Sequence, residues 1–136
     1  MQSQKRILII EDDVGFRNLL RIQLSLAGYT LEAVEDGAEA GKALLERPPD
    51  LVLSDLGVPL LDGFELLSLV RADAKTASIP VILLSGRSDD DSVSKAMKLG
   101  AADFLVKPVR LEDLLNSIQL CLAKADTKAA AKLQPD

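Results

Sequence analysis

Five short runs of leucine and β-branched residues, each followed by a stretch with helical periodicity, constrain this chain more than any other feature. The runs are Arg6 to Ile10, Thr30 to Val34, Leu51 to Ser54, Pro80 to Leu84 and the shorter Asp103 to Val106. Continuous apolar runs of this length fit strands buried on both faces of a parallel sheet. Between them, Phe16, Leu20, Leu24 and Ala27 recur at helical spacing, with Leu19 and Leu26 widening the stripe. Gly28 then stands where a helix-terminating glycine belongs. Asp36 with Glu39, and Asp62 with Glu65, have the spacing of an N-cap and a first-turn carboxylate. Ser88 before Asp89, Asp90 and Asp91 opens a fourth helix, which Gly100 closes. Leu111, Leu114, Leu115, Ile118 and Leu122 mark a fifth.

Parallel strands joined by helices cross over right-handedly. The expected fold is therefore α/β, a single three-layer doubly wound domain with a five-stranded parallel sheet and five helices. The 136 residues suit one such domain and can bury a real core without cross-links. Residues 1–124 are expected to form it. Residues 125–136 lose the apolar stripe and read as a tail, a helix extension or a truncated linker.

Composition removes several function classes. The formal charge is −5, which opposes direct binding to nucleic acid or anionic lipid. Histidine is absent, so imidazole metal ligands, imidazole bases and a Ser-His-Asp triad are excluded within this sequence. The single cysteine, Cys121, permits no internal disulfide; a reduced, cytoplasmic setting is expected, with the thiol buried and inert. With three Phe, one Tyr and no Trp, stacking platforms for single strands or sugars are not expected. No apolar run approaches the ~20 residues of a membrane span, and the start lacks a signal-peptide cleavage pattern.

In open α/β sheets ligands gather at the carboxyl ends of the strands. There the first run ends in Glu11, Asp12 and Asp13, the third in Asp55, the fourth in Ser85, and the fifth in Lys107 followed by Pro108. The second ends in Glu35 and Asp36, without a comparable group. If the first and third strands are neighbours, Glu11, Asp12 and Asp55 crowd three negative charges against one ammonium. Such crowding raises pKa values or demands a cation. A divalent ion would restore balance, and all-oxygen ligands favour Mg²⁺, or Mn²⁺, over zinc. A carboxylate beside a metal and a lysine is a competent nucleophile toward phosphorus, with Ser85 able to donate a further hydrogen bond.

Four motifs, ILIIEDD, DLGVPLLDG, LLSG and DFLVKP, carry a resemblance to response-regulator receiver domains of two-component signalling, from about Lys5 to about Lys124. The resemblance implies the strand order 2-1-3-4-5 of flavodoxin-like folds. It implies Asp55 as phosphoacceptor, Asp12 as direct Mg²⁺ ligand, Glu11 acting largely through water, and the Gly57 carbonyl as another ligand. It further implies Ser85 as the conserved hydroxyl, Phe104 as the switch aromatic, Lys107 as the invariant lysine, and a cis bond before Pro108. The implied partners are a sensor histidine kinase or phosphotransfer protein and a downstream protein or output domain. The implied output face joins the fourth helix, fifth strand and fifth helix, with Lys95, Lys98, Phe104 and Arg110 as candidates. The implied role is a phosphoacceptor switch, with self-catalysed transfer and slow autodephosphorylation rather than enzyme turnover.

Several residues have plainer readings. Asp13 reads as a helix-start acid, Asp62-Gly63 as cap and turn, Pro59 as a loop stiffener, and Asp89 to Asp91 as a solvated helix start. Gly57, Val58 and Gly86 depart from the residues usual in the family, and Gly57 with Arg87 is expected to set phosphoryl lifetime. A flavodoxin-type cofactor binder would need a phosphate-cradling loop where this chain has acids. A haloacid-dehalogenase-type phosphatase would need Asp-x-Asp where it has Asp12-Asp13-Val14. A phosphorylation-independent docking module on the same fold remains the alternative, disfavoured because the full acceptor set is present.

Overall fold

The computed structural model describes residues 4–57, 62–86 and 90–133. Five strands and five helices alternate in it: β1 Arg6–Ile10, α1 Val14–Leu26, β2 Thr30–Val34, α2 Gly37–Glu46, β3 Leu51–Asp55, α3 Gly63–Ala72, β4 Val81–Ser85, α4 Asp90–Lys98, β5 Asp103–Val106 and α5 Leu111–Leu133. The sheet is parallel throughout, in the order β2-β1-β3-β4-β5. This is the expected architecture and strand order.

Each strand divides its side chains between two cores, because successive residues point to opposite faces. Leu8, Ile10, Val52, Val81 and Leu83 meet Ala40 and Leu44 of α2, Leu66, Leu67 and Val70 of α3, and Ala96 of α4. Ile7, Ile9, Leu51, Leu53, Ile82 and Leu84 meet Leu20 and Leu24 of α1 and Leu114, Ile118, Cys121 and Leu122 of α5. Each fully buried Leu or Ile contributes about 2 kcal/mol by leaving water. The three central strands are buried almost throughout, whereas β2 and β5 are only partly covered. Burial on both faces therefore holds for the centre and not for the two edges, where a strand has a neighbour on one side only.

The strand bounds differ slightly from the sequence expectation. β3 extends through Asp55, and β4 begins at Val81 because Pro80 has no N–H for the ladder. The Pro80 carbonyl still accepts from the Val52 N–H at 2.9 Å. Leu19 and Leu26 do not widen the buried stripe of α1. They are 48% and 83% exposed, since only Leu20 and Leu24 face the sheet squarely.

Side-chain caps start three helices. Asp13 accepts from the Phe16 N–H at 2.7 Å, Asp36 from Glu39 at 2.9 Å, and Asp62 from Glu65 at 2.8 Å. The Ser88 cap expected for α4, with Pro59, Val58, Arg87 and Asp89, lies outside the described residues. α1 and α4 stop at Gly28 and Gly100, whose φ angles of 103° and 100° fall in the left-handed region. Residues 125–133 continue α5 as helix.

A Cβ at Gly28 would meet nothing within 4 Å, whereas one at Gly100 would stand 2.9 Å from the Arg71 Nε. Gly28→Ala should therefore cost about 1 kcal/mol, from backbone strain alone. Gly100→Ala should cost clearly more, because Arg71 would also have to shift. Urea unfolding of the two variants checks the ranking.

Candidate functional site

The strand register assembles the site before any side chain is considered. Ile10 pairs with Ser54, so Glu11 and Asp55 stand one step further along adjacent strands. Ser85 pairs with Val106, which brings Lys107 to the same end of the sheet. Backbone bonds hold the strand tips. The Glu11 N–H donates to Val34 at 3.0 Å, Leu56 to Leu84 at 2.8 Å, and Lys107 to Ser85 at 2.7 Å. The Leu56 carbonyl in turn accepts from the Gly63 N–H at 2.7 Å, which joins the end of β3 to the start of α3. The Lys107–Pro108 peptide is cis.

Carboxylate oxygens of Glu11, Asp12 and Asp55 lie within 4.8 Å of one another. The Lys107 ammonium donates to Glu11 Oε2 at 3.2 Å and to Asp55 Oδ2 at 3.3 Å, and so bridges the tips of β1 and β3 from β5. Glu11 is buried, Asp55 partly so, and Asp12 exposed, which leaves the cluster open on one side. The other Glu11 oxygen accepts from the Asp13 N–H at 3.2 Å, and Asp55 Oδ1 accepts from the Gly57 N–H at 3.3 Å.

The electrostatics follow from that crowding. Burial pushes the Glu11 carboxyl above the usual range and the Asp55 charge adds to it, against the Asp13 N–H and Lys107. Burial pulls Lys107 down, but the hydrogen bond to Glu11 and the charges of Asp55 and Glu11 outweigh it, so its ammonium is held above the ordinary lysine value. Three carboxylates thus crowd beside one lysine, which pairs with two of them. The donor set is oxygen only, partly open to solvent and short of positive charge, which fits a hard divalent cation such as Mg²⁺.

Ser85 ends β4 and is buried. Phe104 is partly buried on the α4 side of β5, against the core. Lys95, Lys98 and Arg110 are exposed, and the Lys95 ammonium lies 4.4 Å from the centre of the Phe64 ring. Cys121 is buried, and burial raises its thiol pKa. A second acidic group, Glu35, Asp36 and Glu39, gathers after β2. It caps α2: Glu39 also accepts from the Glu35 N–H at 3.1 Å.

Two neighbours of the site escape the sequence reading. The Phe16 ring lies 4.6 Å from the Lys107 ammonium, a cation–π contact that covers one side of the lysine. Arg17 donates to the Glu11 carbonyl at 2.9 Å and approaches Glu35 at 3.9 Å, tying α1 to the tip of β1. In sequence Phe16 passes as one more member of an apolar stripe. The only signal is that it stands in the first turn of the helix beginning at the acidic end of β1.

A family model described as the response regulator receiver domain matches residues 7–119. The chain is 35% identical over 121 residues to the DNA-binding dual master transcriptional regulator RpaA of Synechocystis, covering 89% of this chain and 50% of that protein. It is 34% identical to the transcriptional regulatory protein KdpE of Mycobacterium tuberculosis, covering 95% of this chain and 55% of that one. The chain thus spans about half the length of the curated relatives it matches. Among solved structures, the receiver domain of a Syntrophus aciditrophicus signal transduction histidine kinase is 34% identical with a TM-score of 0.82, covering 88% of this chain and 91% of that one. The chemotaxis response regulator CheY4 of Vibrio cholerae is 28% identical with a TM-score of 0.83, covering 88% and 99%.

Removing the ammonium strands a buried carboxylate. Lys107→Met should cost about 2 kcal/mol, below the full value for a buried pair because the lysine is partly exposed. Glu11→Gln in the Lys107→Met background should recover most of that loss. Urea midpoints in EDTA, with the double variant included, measure both.

Proposed function

The chain belongs to the response regulator receiver domain family, and from that premise we propose that it is a phosphorylation-controlled switch whose phosphoacceptor is Asp55. The observation that carries this reading is the Lys107 ammonium shared between Glu11 and Asp55, beside a third carboxylate on Asp12. Asp55 ends a buried strand, yet its carboxylate stays partly accessible at the open side of the cluster. A nucleophile needs that combination of fixed position and access.

In the proposed reaction an Asp55 carboxylate oxygen attacks the phosphorus of a phosphohistidine on a separate sensor kinase or phosphotransfer protein. The nitrogen–phosphorus bond breaks, an acyl phosphate forms, and the imidazole leaves with its electron pair. Asp12, Asp55 and the Gly57 carbonyl would hold Mg²⁺, with Glu11 behind them, and the ion would supply charge neutralisation at the phosphoryl oxygens. Lys107 neutralises one phosphoryl oxygen from the opposite side, and the Ser85 hydroxyl donates to another. The bound phosphate carries about two negative charges, which bias Ser85 at the end of β4 and the Phe104 ring toward a second arrangement. The signal leaves through α4, β5 and α5, where Lys95, Lys98, Phe104 and Arg110 meet a downstream protein or output domain. Residues 1–124 form the switch, and the remainder of α5 extends from it.

Incubation with Mg²⁺ and acetyl phosphate, followed by intact-mass measurement, should add about 80 Da, one phosphoryl group. The adduct should vanish in Asp55→Asn and in EDTA. Adduct formation that survives Asp55→Asn would overturn the assignment; no adduct in the wild type would favour a docking module that works without phosphorylation.

Gly57 is exposed, and a Cβ there would meet nothing within 4 Å. A longer side chain at this position can therefore reach over the acceptor and alter the approach of water. Gly57→Met should change the decay rate of the acyl phosphate several-fold, by about 1 kcal/mol of barrier, while leaving the urea midpoint unchanged. Timing the loss of the mass adduct checks it.

A further inference from the structure

A hollow of about 850 Å³ opens at the opposite end of the sheet from Asp55, between the amino ends of β4 and β5 and the outer part of α5. Its walls collect Arg71, Lys124 and Lys128, and among the described residues none that lines it is acidic. Its floor is apolar, built largely of alanines around Pro80 and Ala101. In a chain of net charge −5, that concentration of cations on one concave surface is an anomaly.

The cations lack the partners that would make them ordinary. Arg71 is half-buried, and its guanidinium is held by carbonyls alone: Nε and Nη2 donate to Gly100 at 3.2 and 2.7 Å, and Nη1 donates to Ala77 and Ile79 at 3.1 and 2.6 Å. The carbonyls take four of its five N–H groups but bring no formal negative charge. Among the described residues no carboxylate pairs with Arg71, Lys124 or Lys128. The nearest acids in sequence are engaged elsewhere. Asp126 pairs with Lys5 at 3.0 Å, and Asp73 accepts from the Lys75 N–H while lining the groove between α2 and α3. Lys124 and Lys128 stand four residues apart on α5, a like-charge spacing that weakens a helix unless something negative sits between them.

We propose that this hollow is a binding site for a small organic anion, a carboxylate or phosphate headgroup on a compact apolar body. The headgroup lies between Lys124 and Lys128 in the field of Arg71, and the body covers the alanine floor. The volume is that of a small-molecule cleft rather than of a protein interface. The site is remote from Asp55 and does not depend on its phosphorylation.

Titration of the protein in EDTA with naphthyl phosphate, naphthoate and neutral naphthalenemethanol tests the proposal, read from the amide resonances of Gly100, Ala101 and Ala102. Saturable shifts at these residues are expected with one or both anions, and the stronger anion identifies the headgroup. The neutral alcohol should bind at least about tenfold more weakly. Lys124→Glu with Lys128→Glu, two exposed positions that leave Arg71 and the core untouched, should weaken the anion by about tenfold or more. Asp55→Asn should bind it as the wild type does, which separates this site from the acidic one. Failure to saturate by about 5 mM, equal affinity for the alcohol, or indifference to the charge reversal would overturn the proposal.

Discussion

The Lys107 ammonium, held at 3.2 Å from Glu11 and 3.3 Å from Asp55, is the contact on which the acidic end of this molecule depends. Three carboxylates cannot crowd together at the tips of two hydrophobic strands without a cation among them. The lysine arrives from the far edge of the sheet, so its charge balances the site only if β5 lies in register with β4 and β4 with β3. A shift of one residue in either pairing would turn Lys107 away and leave Glu11 buried without it. Fold and site therefore share one requirement, and the central strands satisfy it by being buried on both faces.

Around that ammonium the protein adds support from a different layer. Phe16 lies beside it and Arg17 fastens the backbone of Glu11, both from the first turns of α1. α1 is itself anchored by the Asp13 cap, so adjacent acids have separate duties: Glu11 takes the lysine, Asp12 faces solvent, and Asp13 starts a helix. Charge that looks redundant in a run of three is divided by backbone geometry.

That division explains how much of the molecule was legible in the sequence. Strand–helix alternation is plain because short unbroken apolar runs alternate with stretches that repeat near every fourth residue. Asp13, Asp36 and Asp62 are recognisable as caps because a capping carboxylate and the N–H that donates to it lie three residues apart. Glu11, Asp12, Asp55 and Lys107 could be grouped because all end strands, and parallel strands end on the same side. Phe16 and Arg17 were opaque for the opposite reason. Their partners are a lysine just past β5 and a backbone carbonyl, and a phenylalanine or arginine on a helix carries no mark of which way it turns. The exposure of Leu19 and Leu26 is hidden in the same way, since spacing alone does not say how wide a strip the sheet covers.

The length of α5 has a mechanical meaning. It begins four residues after Lys107 and continues unbroken to Leu133, so its 23 residues make a rod about 35 Å long. Rods magnify rotation: a tilt of about 5° at the β5 end would carry the far end sideways by about 3 Å. A rearrangement too slight to break any hydrogen bond beside Lys107 would then arrive at Leu133 enlarged to a displacement of about 3 Å.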